Sequence, residues 1–233
     1  MQLFYEPDIL SNGGILSSEE SAHCIRVLRH NAGDAIQIID GKGQLFEALI
    51  KVASPKACEV EIREQKSQPP PSVQCHIAIA PTKNIDRTEW FLEKSTEIGI
   101  EWITPIVVKN SERKVVKLPR LEKVITSAIK QSGSYWRPVL NDLTPFDSFV
   151  KTPFEGDKFI AHCHNGHEPH LKNVVKKGNN TLILIGPEGD FTLKEIELAL
   201  NNGFRPISLG SKRLRTETAA LVASHIIRLI NEE

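Results

Sequence analysis

The sequence predicts an α/β chain in two parts: a small barrel of short strands, then a mainly parallel sheet covered by helices. Three observations predict it. Residues 34–65 hold three strand-length runs, residues 73 onward alternate strand with helix, and three consecutive prolines separate the two patterns. Such alternation marks a parallel sheet, because each crossover between parallel strands needs a connection about as long as a helix. At 233 residues the chain can bury one substantial core, or one small and one medium domain.

Taken in order, Ser17–Arg29 reads as the single helix of the first part, with Ser17 and Glu20 spaced as a capping box. DAIQIID, QLFEALIKVAS and ACEVEIREQ alternate apolar and polar residues, and Gly41-Lys42-Gly43 supplies a hairpin turn between the first two. Short strands around one helix suggest the barrel. KSQPPPS at 66–72 reads as a semi-rigid spacer, since consecutive prolines lack donors and favour extended geometry. It places the domains at 1–68 and 73–233, with the second expected to fold on its own.

Beyond the spacer, VQCHIAIA is a strand and Ile85–Ile98 a helix ended by Gly99. WITPIVV is a strand, and Leu118–Gly133 a helix with Leu121, Val124, Ile125, Ala128 and Ile129 on one face. Lys158–His162 is a strand. Two strand–loop–helix units follow in tandem, TLILIGPEGDFTLKEIELAL from 181 and PISLGSKRLRTETAALVASHIIRLI from 206. In each an apolar run stops at a polar, glycine-containing loop before an amphipathic helix. Read as adjacent parallel strands, they place both loops at one sheet edge, where open α/β folds bind ligands. Gly186 and Gly189 allow close backbone approach, and Lys212, Arg213 and Arg215 precede Thr216, the expected N-cap of the last helix. A backbone pocket beside a cationic rim suits a polar cofactor and a polyanionic substrate.

Charge is balanced, 29 basic against 29 acidic. Residues 1–72 carry 7 and 10 of these, leaving 29 − 7 = 22 and 29 − 10 = 19, so an RNA surface must be a local patch. No apolar run approaches the roughly 20 residues of a membrane span, and no membrane partner is expected. MQLFYEPDIL lacks the pattern of a secretory signal. Cys24, Cys58, Cys75 and Cys163 lie far apart, which fits reduced thiols in a cytoplasm. HCHNGHEPH at 162–170 puts His162, Cys163, His164, His167 and His170 close together. Without a second ligand cluster it reads as a polar loop after a strand, not a zinc site, and no metal is expected. Trp90 and Trp102 read as core residues, while Trp136 beside Arg137 is a candidate to approach a base. His23, Arg26 and His30 share one face of the first helix, opposite Cys24, Val27 and Leu28.

Several motifs occur in a recognisable order: His23, Val27, Leu28 and Arg29, then Gly33 and Asp40-Gly41, Lys83 in APTK, TEIG at 96–99, SER at 111–113, QSGSYWRP at 131–138, IGPEGDF and LGSKRLRTETA. Over nearly its full length the chain resembles the bacterial 16S ribosomal RNA uridine-N3 methyltransferases of the SPOUT superfamily, the RsmE family. The resemblance implies an N-terminal PUA-like barrel and a C-terminal trefoil-knotted α/β domain. It also implies a cytoplasmic homodimer that uses S-adenosyl-L-methionine to methylate a uridine in the decoding region of 16S ribosomal RNA, in the small subunit. A knot is an exception to the rule against threaded chains.

Carried over residue by residue, the cofactor loops fall on Ile185, Gly186, Pro187, Glu188 and Gly189, and on Leu209, Gly210, Leu214 and Thr216, with Thr218 and Ala219 opening the last helix. Arg26, Arg29, Lys83, Arg113, Arg137 and Arg213 become RNA contacts. Uracil N3 must lose its proton before it can attack a methyl group. Arg215 is the first candidate to stabilise that anion and Arg29 the second, with no general base evident. Where the family usually has GPEGGF this chain has Asp190, which implies a left-handed residue that aspartate tolerates. Two other readings stand beside this one. A phosphate-loop nucleotide enzyme lacks its G-K-[ST] here, and a non-catalytic RNA-binding protein would not need an intact LRTETA.

Overall fold

The structure is a computed structural model and describes residues 2–164 and 167–232. The chain divides into two compact units, Met1–Pro70 with Thr126–Arg137, and Pro71–Ile125 with Pro138–Glu233.

The first unit is a four-stranded mixed sheet in the order β1-β2-β3-β4. Strand β1 (Leu3–Tyr5), which the sequence did not announce, runs parallel to β2 (Ala35–Ile39). Strands β3 (Gln44–Val52) and β4 (Glu59–Ser67) continue antiparallel. The β2–β3 turn is fixed by Asp40, whose Oδ1 accepts from the amides of Lys42 (2.7 Å) and Gln44 (3.0 Å). Gly43 sits at φ 96° under the Trp136 ring, where a Cβ would lie 2.5 Å from Cζ2. Alternate strand residues Ile36, Ile38, Phe46, Ala48 and Ile50 form the core with Phe4, Cys24 and Cys58. Burial pushes the Cys24 thiol up to about 12, and all four cysteines are free.

The first helix is shorter than the sequence predicts. α1 covers Ser18–Ala22 and passes into a π-helical turn, His23–Val27. Ser17 Oγ accepts from the Glu20 amide at 3.4 Å, but the expected return bond is absent. The Ser17 amide donates instead to Glu6 Oε2 (2.8 Å), and Glu20 takes Lys130 (2.6 Å). The wider π turn breaks the expected face, and Val27 is exposed.

The second unit is a parallel sheet in the order β11-β9-β10-β5-β6-β7, with β8 also pairing β6. Its elements are β5 (Cys75–Ile79), α2 (Ile85–Ile98), β6 (Trp102–Val107), α3 (Leu118–Ser132), β7 (Val139–Leu140), β8 (Thr144–Pro145) and α4 (Phe146–Phe149). Then come β9 (Asp157–Ala161), α5 (Leu171–Val174), β10 (Thr181–Ile185), α6 (Leu193–Asn201), β11 (Arg205–Ile207) and α7 (Thr216–Asn231). Helix α3 begins in this unit and ends in the first.

Strand alternation gives the sheet two buried faces, as a parallel sheet requires. Ile77, Ile79, Phe159, Ile183 and Ile185 pack against Phe91 and Leu92 of α2 and Ala220, Ala223 and Ile227 of α7. Ala78, Ile160, Leu182 and Leu184 pack on the other side against Phe146, Phe191, Ile196 and Phe204. Among the described residues no helix is long and apolar enough to cross a membrane.

Candidate functional site

The expectation that the two tandem strands are neighbours is corrected here. β9 lies between β10 and β11. The register explains why their loops still meet: Ile185 of β10 pairs with Ala161 of β9, which pairs with Ile207 of β11. Three parallel strands end level, so three loops leave the same sheet edge. They enclose a cavity of about 440 Å³, in the range of a small-molecule site. Its walls come from Ile185–Glu188, Leu209–Gly210, Lys212–Thr216 and Ala219, with His162 and Cys163 closing the gap between the loops.

The first loop is held from several sides. Gly186 packs close to Phe191, where an added Cβ would lie 3.1 Å from the ring. Its carbonyl accepts from Thr216 Oγ1 at 3.0 Å, tying the loop to the start of α7. Thr216 is therefore not the N-cap. Arg215 occupies that position without a side-chain cap bond. Asp190 has φ 58°, as the GPEGD departure implied. Its Oδ1 accepts from the Phe191 amide (2.7 Å) and its Oδ2 from the Cys163 amide (2.9 Å), joining the β10 loop to the β9 loop. Asn110 Nδ2 donates to the carbonyls of Gly189 and Asp190, both at 3.0 Å. The same loop ends in a full capping box between Thr192 and Glu195.

Several sequence-expected residues fall on the cavity wall: Ile185, Gly186, Pro187, Glu188, Leu209, Gly210, Leu214, Thr216 and Ala219, with Arg213 and Arg215 at its rim. Gly189 and Thr218 do not line it. A Cβ on Gly189 would meet Asn110 at 3.1 Å, and Thr218 faces an adjoining depression. Lys83 and Arg113 form a brace. Arg113 donates from Nε to the Thr82 carbonyl (3.0 Å) and from Nη2 to the Lys83 carbonyl (2.6 Å). The Lys83 amide then donates to Glu188 Oε1 at 3.2 Å, and Lys83 Nζ pairs with Glu112 at 2.7 Å.

Arg26, Arg29 and Arg137 belong to the first unit. Arg26 and Arg29 are exposed, the latter at φ 59°. Arg137 lies 5.8 Å over the Tyr5 ring, half-buried. Trp136 donates from Nε1 to the carbonyls of Gln68 and Pro69, so its polar edge is engaged within that unit. Trp90 is 41% exposed and is not the core residue the sequence suggested.

Reading the sequence missed Arg87, Asn110, His162 and Cys163 as site residues. The signal was there for two of them: His162 and Cys163 follow the apolar run of β9 as Gly186 and Pro187 follow β10. What was not legible is that β9 lies between the other two strands.

The thiol and the two imidazoles next to the cavity are shifted or already engaged. Partial burial, then the Asp190 carboxylate, push the Cys163 thiol up, with Arg213 opposing. His164 donates from Nε2 to the Phe191 carbonyl (2.8 Å), and His162 is buried 3.9 Å from Glu168. Among the described residues no three histidine, cysteine or acidic side chains converge as a metal site; Asn165 and Gly166 of the His-rich stretch lie outside the described residues. What remains is a backbone-lined cavity with an apolar floor and a cationic rim.

Comparison with known proteins agrees. A family model described as an RNA methyltransferase domain matches residues 69–228, and one described as an RNA methyltransferase PUA domain matches residues 16–63. Ribosomal RNA small subunit methyltransferase E of Rickettsia conorii is 28% identical over 222 residues, covering 92% of this chain and 89% of that protein. A chain from Porphyromonas gingivalis described as a probable rRNA-methyltransferase is 41% identical with a TM-score of 0.91, covering 99% of this chain and 98% of its own. Ribosomal RNA small subunit methyltransferase E from Neisseria gonorrhoeae, solved bound to S-adenosyl methionine, is 26% identical with a TM-score of 0.87, covering 99% and 98%. Level strand ends, a backbone-lined cavity and a match spanning residues 69–228 lead to one conclusion: the chain belongs to the RNA methyltransferase family.

Proposed function

We propose that this protein is an S-adenosylmethionine-dependent methyltransferase that modifies N3 of a uridine in the decoding region of small-subunit ribosomal RNA. The observation that carries the reading is the cavity where β9, β10 and β11 end level, walled by Ile185–Glu188, Leu209–Gly210 and Lys212–Thr216. Its donor set fits the cofactor. Ile185, Leu209, Leu214 and Ala219 offer an apolar bed for an adenine ring, and the backbone of Gly186–Glu188 and Leu209–Gly210 offers polar groups without bulk. Glu188 and Asp190 bring negative charge to the wall, which suits a cationic sulfonium. When bound, S-adenosylmethionine supplies an electrophilic methyl group.

The chain's own residues then have three tasks. The loops hold the donor, with Thr216 fixing Gly186. Arg215 at the rim stabilises negative charge on the uracil as its N3–H proton leaves. Arg26, Arg29, Arg137 and Arg213 contact phosphates, with Arg29 the second candidate for the anion; Lys83 and Arg113 act on RNA through the loop they brace. The rest of the reading is a PUA-like barrel at 1–68, a trefoil-knotted SPOUT domain at 73–233, a homodimer and a cytoplasmic location. The intact LRTETA segment on the cavity favours catalysis over RNA binding alone.

Calorimetric titration tests the cofactor step. S-adenosylmethionine should bind the wild type, and Ala219→Phe, which fills the cavity from α7, should abolish binding while leaving the circular dichroism spectrum unchanged. A wild type that does not bind, or a variant that binds equally well, contradicts the reading.

A further inference from the structure

Beside the cavity lies a second, shallower depression. Arg87, Trp90, Arg213, Arg215, Glu217 and Thr218 line it. It shares Arg87 and the Arg213–Arg215 segment with the first cavity, so the two run together along that segment. Two residues in it are out of place on packing grounds. Trp90, on the second turn of α2, leaves 41% of its surface open, although burying an aromatic ring is among the largest gains a side chain can make. Glu217 is the reverse case, a carboxylate whose side chain is 9% exposed. Among the described residues its Oε2 has no hydrogen-bond partner, and keeping such an atom buried is costly. Its Oε1 lies 4.0 Å from Arg87 Nε, close enough to steer the guanidinium and too long to tie it. Asp86, the other acid here, is already paired with Arg120 at 3.1 Å.

We propose that this depression receives the target uracil, stacked on Trp90, with Glu217 accepting its N3–H between arginines that face its two carbonyl oxygens. The proposal rests on the methyltransferase reading and names the substrate subsite within it. Uracil presents acceptor, donor, acceptor along one edge (O2, N3–H and O4). A carboxylate flanked by guanidinium groups presents the complement, donor, acceptor, donor. Cytosine carries a lone pair at N3 and would set it against the carboxylate, so the same residue selects the base. The N3–H bond breaks and its proton passes to Glu217, which swings clear of the ring edge and releases it to solvent. The in-plane N3 lone pair then bonds to the methyl carbon as that carbon's bond to the donor sulfur breaks, the electron pair staying on sulfur as a neutral thioether. Arg87 and Arg215 offset the charge left on the uracil oxygens, while Arg213, on the same wall, is left for the adjoining phosphate.

The experiment uses the full chain, a small-subunit rRNA transcript and three variants. Trp90→Ala should weaken transcript binding about 5- to 150-fold, the span of one base–aromatic stack, with Trp90→Phe restoring most of it. Glu217→Gln should leave cofactor affinity unchanged and lower the single-turnover rate on the order of 10²-fold or more. That loss should shrink as pH rises toward the N3–H pKa of uracil, because hydroxide then removes the proton. A merely structural role would not give that pH rescue. Should Glu217→Gln lose cofactor affinity, Glu217→Asp, which keeps the acceptor and retracts it, should show the same pH-rescued loss. Wild-type binding and rate in Trp90→Ala and Glu217→Gln, while the wild type methylates normally, would overturn the proposal alone. So would a changed solution mass in Trp90→Ala, which would mean that a second copy covers the ring. A wild type that transfers no methyl group would remove the reading beneath it as well.

Discussion

Asp190 joins two loops with one carboxylate, accepting from the amides of Phe191 and Cys163 while its backbone stays left-handed at φ 58°. Asp190→Ala removes both bonds and leaves a Cβ where left-handed geometry is unfavourable, so it should cost about 2 kcal/mol in urea unfolding. Asp190→Gly loses the same bonds but relaxes the backbone, and should cost measurably less. Equal losses would mean the backbone conformation contributes nothing. The left-handed residue was legible because the sequence places Asp where the family pattern has glycine. The two amide bonds were not, because Cys163 is far away in sequence and reaches Asp190 only through the strand order. The roles of Thr216 and Arg113 escaped for the same reason. A hydroxyl before a helix looks like a cap until the structure shows it bonded to Gly186, and nothing in the local sequence around Arg113 announces that it holds the Thr82 and Lys83 carbonyls.

Among the elements, β5 carries a titratable group in the middle of the sheet. His76 is buried, hydrogen-bonded to Thr104 Oγ1 at 2.7 Å and set edge-on to Phe149. Burial pushes its pKa down from 6.5 to about 4. A depressed histidine stabilises the fold fully above pH 6.5, and that contribution is lost as pH falls through about 4, because the unfolded chain binds the proton first. The shift corresponds to roughly 3 kcal/mol. His76→Phe keeps the ring and cannot titrate, so its stability should fall less steeply with acid over that window. Parallel curves for variant and wild type would contradict the burial argument. Most elements were legible from periodicity: α2 has its expected bounds of Ile85–Ile98, and α3 buries the predicted face at Leu121, Ile125, Ala128 and Ile129. The π-helical turn at His23–Val27 and the three-residue strand β1 were not legible, since neither is long enough to show a period.

At the scale of the whole molecule, residues Thr126–Arg137 group with the first unit although the proline spacer precedes them. Ile129 is fully buried with Ile39 and Leu45, the Gly43 amide donates to the Tyr135 carbonyl (3.0 Å), and the Arg137 amide donates to the Gly41 carbonyl (3.0 Å). Deleting residues 1–68 would therefore uncover Ile129 and strand these backbone groups. The truncated chain should aggregate or lose helix content, where the sequence alone predicts an independent fold. A monodisperse, cofactor-binding truncation on light scattering would contradict this. The spacer was readable as a composition change, whereas a segment that packs back across it has no local signature. The family and the two loops that wall most of the cavity were readable from ordered motifs, and the third loop only from the sheet order. The central claim is methyl transfer to uridine N3 in small-subunit ribosomal RNA. Its most direct test is to incubate the protein with that RNA and isotopically labelled S-adenosylmethionine, then map the product by mass spectrometry. The predicted result is label on N3 of a single uridine, with the single-turnover rate of Arg215→Ala lower by on the order of 10²–10³ and Arg215→Lys restoring only part of it. No incorporation, or label on a ribose oxygen, a base carbon or another base, would contradict it.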